Sequence, residues 1–174
     1  MPNSADRITV KLELEEDDYR TLMAAFRTMP KEAQDQLRVT NKRMVGNLVQ
    51  KIQTAAVYAP NPAQARIVAR SLKANKDRVP SITVGGSRKA PVSRRATANN
   101  PKPTYGELLF GTEFGAVQPG PNTFPQGGRK FPAYSGRFKS GSRGYFIFPT
   151  LRKAQPQIRR DFLATVDKII RKKW

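Results

Sequence analysis

The glycines of this chain are concentrated in one segment, and this limits where regular structure can form. Eleven of the twelve glycines lie between Gly85 and Gly144, in a chain of 174 residues. Glycine weakens the interior of helices and strands, so most regular elements are expected on either side of this segment. We therefore interpret residues 1–174 as a single domain in which residues 86–143 form an extended basic loop or insertion.

The N-terminal half of the chain shows hydrophobic periodicity. Alternation of apolar and polar residues predicts a half-buried strand over residues 7–14. The acidic run 15–18 predicts the start of a helix, because carboxylates stabilise the positive end of the helix dipole, and Pro30 ends this helix. Apolar residues at three-to-four spacing then predict one long helix from Pro30 to about residue 58. The other elements predicted in this half are a short helix at 63–72 and a strand at 79–84.

The C-terminal part is predicted to contain two strands and a helix. The apolar run 105–110 and the aromatic run 145–148 are interpreted as strands. Pro156 is typical of a first helical turn, and an apolar stripe after it predicts an amphipathic C-terminal helix. The predicted fold class is α+β, with a small, mostly antiparallel sheet on which the long helix and the C-terminal helix pack.

The chain has no histidine and no cysteine, which removes most catalytic and metal-binding chemistry. Nucleophile systems based on Ser-His-Asp or Cys-His and zinc sites need these residues. The acidic run 15–18 is interpreted as a solvated helix start rather than a magnesium site. Residues 136–143 have glycines at phosphate-loop spacing but lack the Lys-Ser or Lys-Thr that binds phosphate and magnesium. We expect a protein that is not an enzyme and that has no cofactor and no metal.

Charge is the strongest functional signal in the sequence. The net charge is +19; residues 1–40 carry eight acidic and six basic side chains, and residues 41–174 carry five acidic and 26 basic ones. Such a field favours binding to polyanions or to acidic protein surfaces. No apolar run is long enough to span a bilayer, so no membrane association is expected.

The candidate contacts to DNA or to a protein partner are basic residues of the glycine-rich segment. Lys and Arg at this density bind phosphate without reading sequence, whereas the simpler interpretation is a loop kept soluble by its charge. The candidates are Arg88, Lys89, Arg94, Arg95, Lys102, Arg129, Lys130, Arg137, Lys139 and Arg143.

Aromatic residues near the two ends of this segment form a second candidate set. Residues 143–148 resemble the base-stacking strand of RNA-recognition domains only in part, because Phe146 replaces a small residue. Packing and subunit contacts are the favoured roles. The residues predicted for them are Phe110, Phe114, Tyr145, Phe146 and Phe148.

Two sequence blocks, in this order, carry a resemblance to a known family. Residues 110–115 read Phe-Gly-Thr-Glu-Phe-Gly, and residues 145–154 read Tyr-Phe-Ile-Phe-Pro-Thr-Leu-Arg-Lys-Ala; an Ala-Pro break at 59–60 precedes both. The chain thus resembles the head–tail joining proteins of long-tailed double-stranded DNA phages, also described as neck, tail-completion or tail-component proteins. In that family an "E-F-G-T" or "F-G-T" corner and a closing "P-F-(L)-x-P-A-L" helix entry recur. The Thr-Gly that commonly follows the Ala-Pro break is missing here, and residues 86–143 form a longer segment than is usual.

The resemblance implies a structural virion protein of the phage neck, assembled in the cytoplasm of the host bacterium. Such proteins form a homo-oligomeric ring around the channel that double-stranded DNA crosses. Their neighbours are portal, adaptor or stopper proteins on one side and tail-tube or terminator proteins on the other. Two alternatives stay open: a non-specific nucleic-acid-binding protein acting in DNA packaging or at the ribosome, and a minor capsid or tail protein elsewhere in the virion.

Overall fold

A computed structural model describes residues 7–14, 16–92, 102–115 and 143–171 of the chain. The described residues form helices and one small sheet, which confirms the predicted α+β class. In chain order the elements are β1 (Arg7–Lys11), α1 (Glu16–Thr28), α2 (Lys31–Ala55), a 3-10 turn (Ala56–Tyr58), α3 (Pro62–Ala69), β2 (Lys73–Ala74), β3 (Ser81–Gly85), α4 (Tyr105–Phe114) and α5 (Ile147–Arg171).

The three strands form one antiparallel sheet with β3 in the centre, in the order β1-β3-β2. Lys73 of β2 lies opposite Thr83 of β3. The connection between these two strands is tied by Asn75, whose Nδ2 donates to Ser81 Oγ and to Thr83 Oγ1, each at 2.9 Å. In β1, half-buried Ile8 alternates with exposed neighbours, as the sequence predicts for a strand with one buried face.

By their contacts, the described residues divide into two compact units. The first unit contains residues 7–8, 51–72, 84–92, 102–115 and 143–151, and the second contains 9–14, 16–50, 73–83 and 152–171. The boundary falls inside β1, α2, β3 and α5, so each of these elements contributes residues to both units.

The second unit has a hydrophobic core formed by α1, α2 and α5. The stripe predicted for the C-terminal helix lies on this core, where Phe162 is fully buried. Leu12 and Leu14, which follow β1, and Val79, which precedes β3, pack against it, so strand-flanking residues and helices share one apolar interior. The buried members of the core are Leu22, Phe26, Met29, Ala33, Leu37, Phe162, Val166 and Ile169.

Asn41 is a fully buried polar residue in the middle of the apolar stripe of α2. Its Nδ2 donates to the backbone carbonyls of Asp77 at 3.1 Å and Arg78 at 2.8 Å. A buried amide without partners is costly; these two bonds satisfy the N–H groups of Asn41, whereas its Oδ1 is buried without a hydrogen-bond partner. Asn41 thereby fixes the turn before β3 to α2.

In the first unit, α3 packs against α4 and against the 3-10 turn. Pro62 occupies the first turn of α3, and the side chain of Asn61 accepts a hydrogen bond from the N–H of Gln64 at 3.3 Å. A capping asparagine followed by proline is a favourable helix start, because proline lacks an N–H that would otherwise need a partner there. The short helix predicted in this region is confirmed, with its end at Ala69.

The prediction of a strand at 105–110 was wrong, because these residues belong to α4. Thr104 and Glu107 form a capping box at its start: Glu107 N–H donates to Thr104 Oγ1 at 3.1 Å, and Thr104 N–H donates to Glu107 Oε2 at 2.9 Å. The buried positions include Leu108, Leu109 and Thr112, which fit a helix packed on α3. An apolar run this short does not distinguish a buried strand from a buried helix.

The prediction of an aromatic strand at 145–148 was also wrong. These residues lead into α5, which begins at Ile147, so Pro156 lies inside the helix rather than at its start. A proline in a helix interior cannot donate to the carbonyl four residues earlier and usually ends or kinks the helix. Here the side chain of Glu113 from α4 accepts hydrogen bonds from the N-terminal end of α5. This contact stabilises a helix start that the sequence pattern did not predict.

Candidate functional site

The carboxylate of Glu113, near the end of α4, holds the beginning of α5. Its Oε2 accepts hydrogen bonds from the backbone N–H groups of Phe146 at 3.1 Å and Ile147 at 3.0 Å. Its Oε1 accepts one from the N–H of Phe148 at 2.8 Å. The first N–H groups of a helix have no partner within the helix, so Glu113 satisfies donors that would otherwise be left unpaired.

Burial and hydrogen bonding shift the pKa of the Glu113 carboxyl in opposite directions. Glu113 has no exposed surface. Burial raises its pKa above the ordinary value of 4.5, while hydrogen bonds from the backbone of residues 145–148 act to lower the pKa. The positive end of the α5 dipole favours a negative charge at the same place.

A glycine in the backbone before α5 allows the Glu113 carboxylate to approach closely. Gly144 has φ of +98°, a conformation that residues with a side chain rarely adopt. A Cβ atom at Gly144 would lie 2.3 Å from Glu113 Oε1 and 3.1 Å from the Cβ of Phe148. At the other side of Glu113, α4 ends at Gly115, whose φ is +76° and whose N–H donates to Gly111 O. Glycines therefore flank both partners of the contact.

Three of the aromatic candidates form a row next to this contact. The ring of Phe114 lies 5.2 Å from that of Phe148 and 6.5 Å from that of Phe110, measured between centroids. Phe110 is 47% exposed and Phe146 is 1% exposed. Phe146 therefore packs within the chain, and of the predicted interface residues Phe110 presents the most surface outward; Phe114, Tyr145 and Phe148 are half-buried.

The chemistry of this contact is structural. Both oxygens of Glu113 are occupied by backbone donors, and the side chain is closed to solvent, which leaves no access for a substrate proton. The described residues contain no group of three or more His, Cys, Asp or Glu side chains that could hold a metal ion. What the geometry can do is join α4 to α5.

Basic candidates from two parts of the sequence come together beside α4. Residues 86–90 run antiparallel to residues 103–106, the last two of which begin α4, with Lys89 paired to Thr104. Ala90 N–H donates to Pro103 O at 2.8 Å, and Tyr105 N–H donates to Arg88 O at 3.0 Å. We call these two hydrogen-bonded segments the ribbon; it carries the exposed Arg88 and Lys89, and the half-buried Lys102 directly precedes its second segment.

The other basic candidates are distributed differently. Arg143 is exposed and lies next to Gly144, on the approach to α5. The remaining predicted contact residues lie outside the described part of the chain: Arg94, Arg95, Arg129, Lys130, Arg137 and Lys139.

A separate groove in the second unit carries arginines from α5, but acids balance them. Its lining includes Arg152, Arg159 and Arg160, together with Glu13. Arg159 pairs with Asp18 at 2.5 Å, and Glu13 accepts a hydrogen bond from Gln155 at 3.1 Å. Carboxylates at and beside the groove reduce its attraction for a polyanion.

Sequence analysis missed the residues that organise the site, although one signal was present. Thr104 and Glu107 have the spacing of a capping box, which would have identified α4 as a helix. The sequence contains no comparable signal for the backbone groups that Glu113 binds, because the contact joins residues more than thirty positions apart. Asn41 carries none either, since a single polar residue on an apolar stripe does not reveal which carbonyls it meets.

None of the helices in the described ranges combines the length and the apolar character that a membrane span requires. Comparison of the chain with models of known protein families, with curated proteins and with solved structures gave no match.

Proposed function

We propose that the chain is a structural protein of the phage neck, which forms a ring between the portal-side proteins and the tail around the DNA channel. Its neighbours are portal, adaptor or stopper proteins and tail-tube or terminator proteins, with double-stranded DNA in the lumen. The site of action is the neck of the virion, after assembly in the bacterial cytoplasm. The role requires neither a catalytic group nor a cofactor.

The observation that carries this proposal is the contact of Glu113 with the start of α5. The two blocks that resemble the phage family, 110–115 and 145–154, are separated by 29 residues in the sequence. Glu113 of the first block accepts hydrogen bonds from Phe146, Ile147 and Phe148 of the second. The blocks therefore form one structural unit, and their shared occurrence in one chain has a physical reason.

Two further features support assembly into a ring. Phe110 exposes an aromatic ring beside the Glu113 contact, and exposed aromatic residues are enriched at subunit interfaces. In closed symmetry each contact and each charge is repeated around the axis. A basic surface repeated in this way attracts the phosphates of DNA in a channel, or acidic faces of neighbouring rings.

The second candidate is a non-specific nucleic-acid-binding protein that acts without a ring. The ribbon with Arg88 and Lys89, preceded by Lys102, favours it, because basic side chains on a small surface bind phosphate without further structure. Such a protein binds nucleic acid tightly as a monomer, whereas a ring subunit depends on assembly for its contacts.

The test is gold labelling of an N-terminally tagged copy on negatively stained particles of the phage that encodes the chain. We expect label at the single vertex where head and tail meet, and untagged particles serve as the control for background. Label over the whole head would replace the neck role by a minor capsid role. Bare particles, together with protein that co-sediments with nucleic acid, would favour the second candidate.

A further inference from the structure

Two arginines that no motif singled out lie on one exposed side of α3: Arg66 within the helix and Arg70, which caps its C-terminal end. Arg66 and Arg70 are one helical turn apart: the N–H of Arg70 donates to Arg66 O at 3.2 Å. Both are exposed, while Ala65, Val68 and Ala69 face the interior of the first unit. Residues four apart lie on the same side of a helix, so the two guanidinium groups are neighbours.

Hydrogen bonds connect the end of α3 to the basic ribbon. Ser71, directly after Arg70, accepts a hydrogen bond on Oγ from the N–H of Gly85 at 2.9 Å. Gly86 O then accepts one from the N–H of Gly106 at 3.0 Å, at the point where the ribbon begins. Arg88 follows Gly86 by two residues, so these hydrogen bonds link the end of α3 to the segment that carries Arg88 and Lys89.

Among the described residues, α3 with its cap Arg70, the ribbon with the adjacent Lys102 and the first turn of α4 carry five cations and one acid, and we call this set the α3 basic patch. The acid is Glu107, whose carboxylate accepts the N–H of Thr104 at 2.9 Å in the capping box. None of the large apolar side chains that are exposed in the described residues belongs to the patch. The patch consists of Arg66, Arg70, Arg88, Lys89 and Lys102.

We propose that the α3 basic patch binds the phosphate backbone of duplex DNA without reading its sequence. The inference rests on the proposed neck function and names the surface that meets DNA. Protein partners usually need an apolar or aromatic anchor at the centre of the interface, and the patch has none. Phosphates need only closely placed Lys and Arg side chains, from which counterions are released on binding. A role of Arg66 and Arg70 confined to stabilising the end of α3 would not produce DNA binding.

The experiment measures binding of the full chain to a fluorescent 30-base-pair duplex by anisotropy, as a function of salt concentration. The test variant is Arg66→Ala/Arg70→Ala. The matched control is Lys42→Ala/Arg43→Ala, which removes two exposed cations of α2 in the second unit. Circular dichroism checks that both variants keep the helical content of the wild type.

We expect the test variant to bind roughly tenfold more weakly, with the slope of log affinity against log salt reduced by about 2, from two lost phosphate contacts. The control should stay within about twofold of the wild type, since Lys42 and Arg43 do not belong to the patch and their removal takes away no proposed phosphate contact. Arg66→Lys/Arg70→Lys should restore binding, because a lysine also neutralises a phosphate.

Three outcomes would overturn the inference. Equal losses in the test and control variants would mean that diffuse charge, rather than the patch, attracts DNA. A salt slope that does not change in the test variant would exclude phosphate contacts at Arg66 and Arg70. Binding of polyglutamate in preference to the duplex, lost in the test variant, would assign the patch to an acidic protein partner. None of these outcomes alters where gold label appears on the particle, so the patch and the neck function can fail separately.

Discussion

Gly46 and Gly144 differ in whether the surrounding structure has room for a side chain. Gly46 lies within α2, and a Cβ atom there would meet nothing within 4 Å. Gly144 has φ of +98°, and its missing Cβ leaves room for the carboxylate of Glu113. That carboxylate cannot move aside easily, because three backbone N–H groups hold it in place. The same substitution should therefore have opposite effects at the two positions.

We predict that Gly144→Ala lowers the free energy of unfolding by at least about 2 kcal/mol, through backbone strain and displacement of Glu113. Gly46→Ala should raise it by roughly 0.5–1 kcal/mol, since alanine has the better helix propensity. Urea unfolding followed by circular dichroism measures both. A Gly144→Ala variant as stable as the wild type would mean that Glu113 does not need this space.

At the scale of elements, the start of α5 depends on a side chain that α4 supplies. A helix N-terminus that is buried without partners for its N–H groups is unfavourable. Glu113 supplies such partners from another helix. The element α5 is thus specified jointly by its own apolar stripe and by one distant carboxylate.

This arrangement predicts a defined pH dependence. Because the folded-state pKa of Glu113 lies above the ordinary value of 4.5, the native state binds its proton more tightly than the unfolded state does. The contribution of this group to the free energy of unfolding therefore falls as pH rises from 4.5 through the folded-state pKa. The slope is at most about 1.4 kcal/mol per pH unit for one proton.

The measurement is urea unfolding of the wild type and of Glu113→Gln from pH 4 to pH 8. The free energy of unfolding of the wild type minus that of Glu113→Gln isolates the carboxyl, because glutamine does not titrate, and this difference should decrease as pH rises above 4.5. Thr112→Val is the control: its hydroxyl is buried without a partner, so its removal should give an offset independent of pH. A difference that is flat from pH 4 to pH 8 would contradict the raised pKa.

At the scale of the whole molecule, the exposed ring of Phe110 and the α3 basic patch involve different residues of the first unit. Phe110 presents its ring beside the Glu113 contact, and the α3 basic patch carries no exposed aromatic side chain. In the proposed ring, the aromatic row then serves contacts between subunits and the patch serves contacts with DNA. Substitutions can separate these two roles.

We predict that Phe110→Ala leaves the fold intact and reduces self-association of the protein, measured by sedimentation velocity at increasing concentration. Loss of a half-exposed ring costs little stability, whereas loss of an anchor at an interface lowers affinity by about 2 kcal/mol or more. Tyr58→Ala is the control, since Tyr58 is 84% exposed in the same unit and belongs to no aromatic row. Equal effects of both variants would indicate non-specific loss of apolar surface, and no effect of Phe110→Ala would remove Phe110 from the interface.

The sequence by itself determined the elements whose signal is local and repeated. The apolar stripe of α2, the alternation in β1 and the strand that ends at Gly85 follow from periodicity, and the α+β class follows from these elements together. The absence of histidine and cysteine and the position of the charges are also properties of the sequence alone.

Only the tertiary structure decided the start of α5 and which separate segments the basic residues share. The short apolar run of α4 is by itself compatible with strand or helix, whereas the capping-box spacing of Thr104 and Glu107 in the sequence indicates the helix. Glu113, Asn41 and Ser71 act through partners that lie distant in sequence, and the identity of those partners is not encoded in any local pattern. The physical reason is that a buried polar group is stabilised by whichever donor or acceptor the fold brings to it, and that choice is made only when the chain has folded.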